Sequence, residues 1–195
     1  MNMTEKGITS LLRAKNTVFT FKDLSLIWRK TDKNFIKKKV YRYIKAGKLY
    51  SIRRGIYAKD KEYNKFELAT KIFTPSYVSF ETVLGQAGII FQYYSQIFVA
   101  SYLTRDIVCD NQAYSFRKIK DVILTNKIGI ENKEGISIAT KERALLDTIY
   151  VKKIYYFDNL SPLDWKEIFT ILPIYNNKIM NKKIKKIYEN FKANQ

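Results

Sequence analysis

Apolar residues at the start of the chain recur first at helical spacing and then at strand spacing. Ile8, Leu11 and Leu12 behind Thr4, a cap candidate, predict a short helix over residues 4–14. Val18-Phe19-Thr20-Phe21 alternates like a brief strand. Thr20 with Asp23 three residues on has the pattern of a capping box, opening a second helix to Arg29 whose inner stripe is Leu24, Ile27 and Trp28. A third helix, capped by Thr31 or Asp32, runs to Ala46, where Gly47 supplies the left-handed residue that ends it. Ile36, Val40, Tyr43 and Ile44 share one of its faces. Residues 49–53 and 56–58 then read as two strands joined near Arg54-Gly55. Three helices followed by a β-hairpin are the order of a winged helix-turn-helix, whose third helix enters the major groove while the hairpin lies alongside the duplex.

Past residue 65 the periods mix. Residues 66–73 predict a linking helix ended by Pro75, and Ser79 can cap a short helix that stops at Gly88. Strands are expected over 97–103, 114–119, 122–124 and 135–139, with turns at Asp110-Asn111 and over 131–135. Thr140 caps a further helix, in which Arg143 and Asp147 stand at i,i+4. Two more helices, around 163–171 and 178–191, close the chain. The predicted fold class is α+β: an N-terminal winged helix-turn-helix over residues 1–65, followed by a mixed α/β C-terminal domain over 66–195 that ends in a basic helix.

Composition supports a folded chain and removes several chemistries. With 46% apolar and 15% aromatic residues there is ample material for a core, and only 3 Pro and 7 Gly leave room for short junctions alone. The most apolar stretch, 87–103, is broken by Gln92, Ser95, Gln96 and Ser101, short of the ~20 apolar residues of a membrane span. The start, MNMTEKGITSLL, lacks the zones of a signal peptide, so a soluble cytoplasmic protein without membrane partners is expected. A single cysteine, Cys109, excludes an intrachain disulfide, and with no histidine the imidazole zinc sites and His-based acid–base mechanisms are gone. No metal or cofactor is expected.

Charge sharpens the picture further. The net charge of +18 points to nucleic acid or an acidic partner, although a chain rich in Lys, Asn, Ile and Tyr could owe part of its lysine to AT-rich coding. Distribution separates the two explanations. Residues 1–65 carry +13 and residues 178–192 carry +5, while 66–177 balance at 12 of each sign. Codon bias would not leave the middle neutral. Arginine, which AT-rich coding disfavours, is skewed as well: five of eight lie in residues 1–65.

On the third helix, the face opposite the apolar stripe presents Asn34, Lys38, Tyr41, Arg42 and Lys45, with Lys33 and Lys37 on its flank. A merely solvated helix mixes both signs, yet no acidic residue occurs between Lys33 and Lys59. Arg53 and Arg54, at the expected hairpin tip, could pair with phosphates or reach into the minor groove. In the last helix Ile179, Ile184, Ile187, Tyr188 and Phe191 fall on one side, with Lys178, Lys182, Lys185 and Lys186 over the remainder. That helix is either packed and solvated or a second phosphate-binding surface, adding affinity with little sequence choice. Ser79, Glu81, Glu142, Arg143 and Asp147 mix caps and charges with apolar neighbours, a pattern of structural support and not of catalysis.

Three motifs in order, SIRRGIYA, PSYVSFETVLGQAGII and ISIATKERALLDTIY, resemble the AbiEi family of antitoxins and transcriptional regulators from type IV toxin–antitoxin systems, over about residues 17–155. The resemblance implies a winged-helix N-terminal domain, a C-terminal antitoxin domain, repression of the gene's own operon through inverted repeats, and a neighbouring toxin of the nucleotidyltransferase class. It places Arg42, Arg53 and Arg54 in the DNA-binding module. The family's helix motif commonly has proline where this chain has Lys141. The expected function is therefore a sequence-specific, double-stranded DNA-binding regulator and antitoxin, not an enzyme. Two alternatives stand beside it. Asp121 followed by Glu131-Asn132-Lys133 formally matches a Mg2+-dependent nuclease pattern, and the same charge with 15 Tyr fits an RNA-binding module.

Overall fold

In the computed structural model, which describes residues 3–152 and 154–193, the chain is a mixed α+β fold with nine α-helices and two sheets among the described residues. The smaller sheet places β3 (Ile56–Ala58) between β1 (Val18–Thr20) and β2 (Tyr50–Arg53), both pairings antiparallel. Side chains alternate across a strand, so Val18, Ile56 and Ala58 enter one buried cluster while Phe19 and Tyr57 join another. This sheet is a wall shared by two cores.

The smaller core is helical. Leu11 of α1 (Met3–Arg13), Leu24 and Trp28 of α2 (Phe21–Trp28), and Ile36, Val40 and Tyr43 of α3 (Lys33–Lys45) pack together against Phe19 and Leu49. The local signals read from the sequence are met by named bonds. Thr20 Oγ accepts the Asp23 N–H at 3.2 Å and the Asp23 carboxylate accepts the Thr20 N–H at 2.8 Å, completing the capping box. Asp32, and not Thr31, caps α3 by accepting from Asn34 and Phe35. Gly47, at φ +66°, takes the chain out of α3 as the Lys48 N–H bonds back to the Tyr43 carbonyl. One expectation shifts: α1 starts at Met3, ahead of Thr4, the expected cap.

The larger core surrounds a six-stranded mixed sheet. Its strands are β4 (Ser76–Val78), β5 (Ile97–Ser101), β6 (Arg105–Cys109), β7 (Gln112–Lys118), β8 (Ile130–Lys133) and β9 (Ile136–Ala139), in the order β6-β7-β5-β4-β9-β8. The β4–β9 and β5–β7 pairings are parallel and the rest antiparallel. Helices α5 (Phe80–Gln86) and α7 (Lys141–Val151) pack on each other and on the sheet, α8 (Trp165–Ile171) packs on α7, and α4 (Lys65–Ile72) bridges β4 and β9 to β1. Trp165 and Phe169 of α8 hold α9 (Lys178–Ala193) through Tyr188 and Phe191.

Several expectations are corrected here. Residues 122–124 are not a strand but α6 (Asp121–Leu124), one turn closed by the Leu124 N–H on the Lys120 carbonyl and the Thr125 N–H on the Asp121 carbonyl. Three apolar residues are too few to reveal a period. Residues 131–133 are not a turn but the polar edge strand β8, and the turn itself is confined to Glu134-Gly135, both at positive φ. Strands β4 and β6 were not anticipated. Ser79 makes no cap bond to α5, because its hydroxyl is committed elsewhere. Ile179 is 82% exposed, and Met180 takes its place in the core. By contrast, Thr140 caps α7 through the Arg143 N–H at 3.2 Å, so Lys141 at the first position leaves the helix start intact.

Ser79, Glu81, Glu142, Arg143 and Asp147 are all buried. Asp147 accepts from Tyr77 at 2.9 Å, Ser79 at 2.8 Å, Tyr175 at 2.6 Å and Arg143 Nε at 3.2 Å. The Arg143 guanidinium also donates to the carbonyls of Ile123 and Ile128 and to the Tyr77 oxygen. Every strong group is satisfied, which is the condition for holding an ion pair in a core. Gly129, next to the Ile128 carbonyl, is required twice over: its φ is +71°, and a Cβ there would meet Ile171 at 2.8 Å.

Candidate nucleic-acid interface

Burying Ile36, Val40 and Tyr43 against α1 and α2 fixes what α3 shows to solvent. Lys33, Asn34, Lys37, Lys38, Arg42 and Lys45 are all exposed, as is Tyr41 at 66%. The structure thus gathers the sequence-predicted residues of α3 on its solvent side. Lys39, between them in sequence, differs: its ammonium lies 4.5 Å over the Trp28 ring, and burial, then Arg42 and Lys30, lower its pKa. Among the described residues, none of the cations of α3 is in an ion pair. Arg42 donates Nε to the Lys38 carbonyl at 3.4 Å, which leaves both terminal nitrogens of its guanidinium for other acceptors.

The β2–β3 hairpin follows α3 directly. Arg54 and Gly55 form its tip, with Gly55 at φ +81° and its carbonyl accepting from the Phe21 N–H at 3.0 Å. Arg53 and Arg54 are exposed and likewise without a carboxylate partner among the described residues. Arg53 lies near Cys109, whose thiol is pushed up by burial and pulled back by the Arg53 charge. Sequence reasoning passed over two neighbouring cations. Lys48, exposed in the α3–β2 turn, lies inside the acid-free stretch that could have flagged it, and Lys61, also exposed, stands 5.9 Å from the Tyr50 ring of β2.

Two carboxylates fasten this assembly to the larger core. Buried Glu67 of α4 accepts from the Thr17 N–H and hydroxyl, both at 2.7 Å, and from the Val18 N–H at 3.1 Å, while Lys71 bridges Glu67 and Asp23 at 3.1 Å each. Asp110, in the β6–β7 turn, accepts from Tyr63 at 2.7 Å, Lys65 at 3.2 Å and Tyr50 at 3.3 Å. The Tyr63 hydrogen bond, helped by Lys65 and Tyr50, holds the Asp110 carboxyl below its usual range, and burial with Asp110 pushes the Tyr63 phenol up. The hairpin is clasped at its base, while the side chains of Arg53 and Arg54 stay exposed.

The lysines of α9 lie elsewhere. Lys178, Lys182, Lys185 and Lys186 are exposed, but α9 buries Met180 and Ile184 in the larger core, whereas α3 belongs to the smaller one. Asp121 opens α6, while Glu131 on β8 is ion-paired with Lys133. Among the described residues no group of three or more His, Cys, Asp or Glu side chains could hold a metal ion, and no helix is long and apolar enough to cross a membrane.

No family model matches the chain, and no curated protein matches it. Among solved structures it is similar to the RV2827C protein from Mycobacterium tuberculosis, known from a crystal structure, at 10% identity and a TM-score of 0.45. The match covers 75% of this chain and 60% of that one, so the chain spans about three fifths of the length of the protein it resembles.

Proposed function

We propose that the chain is a sequence-specific, double-stranded DNA-binding transcriptional regulator, with residues 1–65 working as a winged helix-turn-helix. One observation carries the reading: the exposed face of α3 and the hairpin tip hold a continuous stretch of sequence with cations, an amide and a tyrosine, and no carboxylate among the described residues pairs with any of those cations. Exposed cations without carboxylate partners suit the phosphates of a duplex, while Asn34, Arg42 and Tyr41 carry groups able to read base edges. The neutral stretch 66–177 sets this apart from a uniformly basic chain. The antitoxin and autorepressor role, with inverted-repeat operator DNA and a nucleotidyltransferase toxin as partners, rests on the resemblance of the three motifs to AbiEi proteins.

Fluorescence anisotropy with DNA from upstream of the gene tests the reading. Binding should be at least about a hundredfold tighter than to a scrambled duplex, with affinity falling steeply as salt rises. Equal affinity for both duplexes, or preferential competition by single-stranded RNA at the same salt, would overturn it. A toxin of the nucleotidyltransferase class encoded next to this gene, neutralised on co-expression, is the expected outcome for the antitoxin role.

A further inference from the structure

A cleft of about 500 Å3 beside α5 carries chemistry that DNA binding does not use. Small-molecule sites span roughly 300–1,000 Å3. Its floor is the buried pair Ile90 and Ile97, and its walls are α5, the start of α4 at Phe66 and the irregular segment 90–96. Both charged side chains on its lining are already neutralised, Lys65 by Asp110 at 3.2 Å and buried Glu81 by Lys152. An anion finds no free cation here. What remains to meet a ligand are aromatic rings and primary amides, since Phe91 and Tyr93 stand 72% and 87% exposed on the lining.

The amides are left in complementary states. Gln92 keeps its NH2 because its carbonyl accepts from Tyr94 at 2.9 Å, and Gln112 keeps its carbonyl because its NH2 donates to Ser95 and Ala113. Gln86 and Gln96 keep both ends, with no hydrogen-bond partner among the described residues. Donors and acceptors presented together suit the edge of a flat, uncharged ring, and exposed aromatic side chains suit its face. A lipid tail would leave the amides unsatisfied.

We propose that this cleft binds a nucleobase, presented as a free nucleoside, with Gln86 and Gln96 reading the edge and Phe91 and Tyr93 covering the face. Gly85 provides the means to close the site. It lies on α5 at the cleft, and a Cβ there would meet nothing within 4 Å, so Gly85→Leu fills the space without crowding the helix.

Calorimetric titration of the full chain with adenosine, guanosine, cytidine, uridine and their 5′-monophosphates, without DNA, tests this independently of the N-terminal reading. At least one nucleoside should bind with a Kd in the range of about 10 μM to 1 mM, and its monophosphate should bind no more than about threefold tighter. Gly85→Leu should abolish binding, and Gln86→Ala with Gln96→Ala should weaken it about tenfold, both with an unchanged melting temperature. Absence of binding by all four nucleosides, binding only by monophosphates, or full affinity in Gly85→Leu would overturn the proposal. If Gly85→Leu does not fold, full affinity in the glutamine double variant overturns it alone.

Discussion

The larger side of the three-stranded sheet buries an arginine in its core, and the smaller side holds two arginines out in solvent. Arg143 is fully buried with its guanidinium shared among a carboxylate, two carbonyls and a phenol, whereas Arg53 and Arg54 stand in solvent with no carboxylate partner among the described residues. Burial costs a cation its hydration, so it is tolerated only where the protein replaces every water. Exposure without partners instead accumulates like charge, which destabilises the compact state slightly and favours a polyanion that relieves it. The difference shows that a residue type says little about its role until its partners are counted.

The strongest way to break this contrast is Arg143→Met. It leaves Asp147 buried without its counter-ion and should cost about 3–5 kcal/mol, read from urea denaturation. A loss under about 1 kcal/mol would show that the hub is not what holds the larger core. The converse variant, Arg53→Ala with Arg54→Ala, should leave stability within about 0.5 kcal/mol, weaken operator binding about tenfold or more, and lower the salt slope by about 2. Unchanged affinity would remove the hairpin from the interface. Lys38→Ala with Arg42→Ala should act similarly, with the larger loss on the specific duplex if α3 reads bases.

Asp110→Asn probes the seam between the two regimes and should cost about 1–2 kcal/mol, since the carboxylate is partly exposed. Its folded pKa is lowered, so the contribution of Asp110 is present above the ordinary carboxylate range near about pH 4 and is lost as pH falls through the folded value. Melting curves of wild type and variant should therefore converge in acid and separate at neutral pH. The smallest expected effect comes from Lys178→Ala with Lys182→Ala, at most about threefold on non-specific affinity. No change would assign α9 to packing alone.

The N-terminal elements were legible because their signals are local. Thr20 and Asp23, or Asp32 and its two amide donors, lie within three residues of each other. The exposed cations were legible for a related reason: a surface role needs no partner elsewhere in the chain. What escaped the sequence is non-local. β6 pairs on one side only, and its Arg105-Asp106 start hides the strand, while β8 is an edge whose Glu131, Asn132 and Lys133 look like a turn. Ser79 was misread because its acceptor is 68 residues away. The clasp at Asp110 joins residues 45 to 60 positions apart, and the cleft beside α5 assembles from four separate stretches.

The shared wall sets the limits of transplantation. Cutting the chain after residue 65 would strip Val18, Ile56, Ala58 and Tyr63 of their cover and discard Glu67, whose carboxylate holds the start of β1. Residues 1–65 moved onto another protein must therefore carry α4 with them, and the host must offer a carboxylate where Asp110 now receives Tyr50, Tyr63 and Lys65. The exposed basic face and the helix that holds it in place are inherited together.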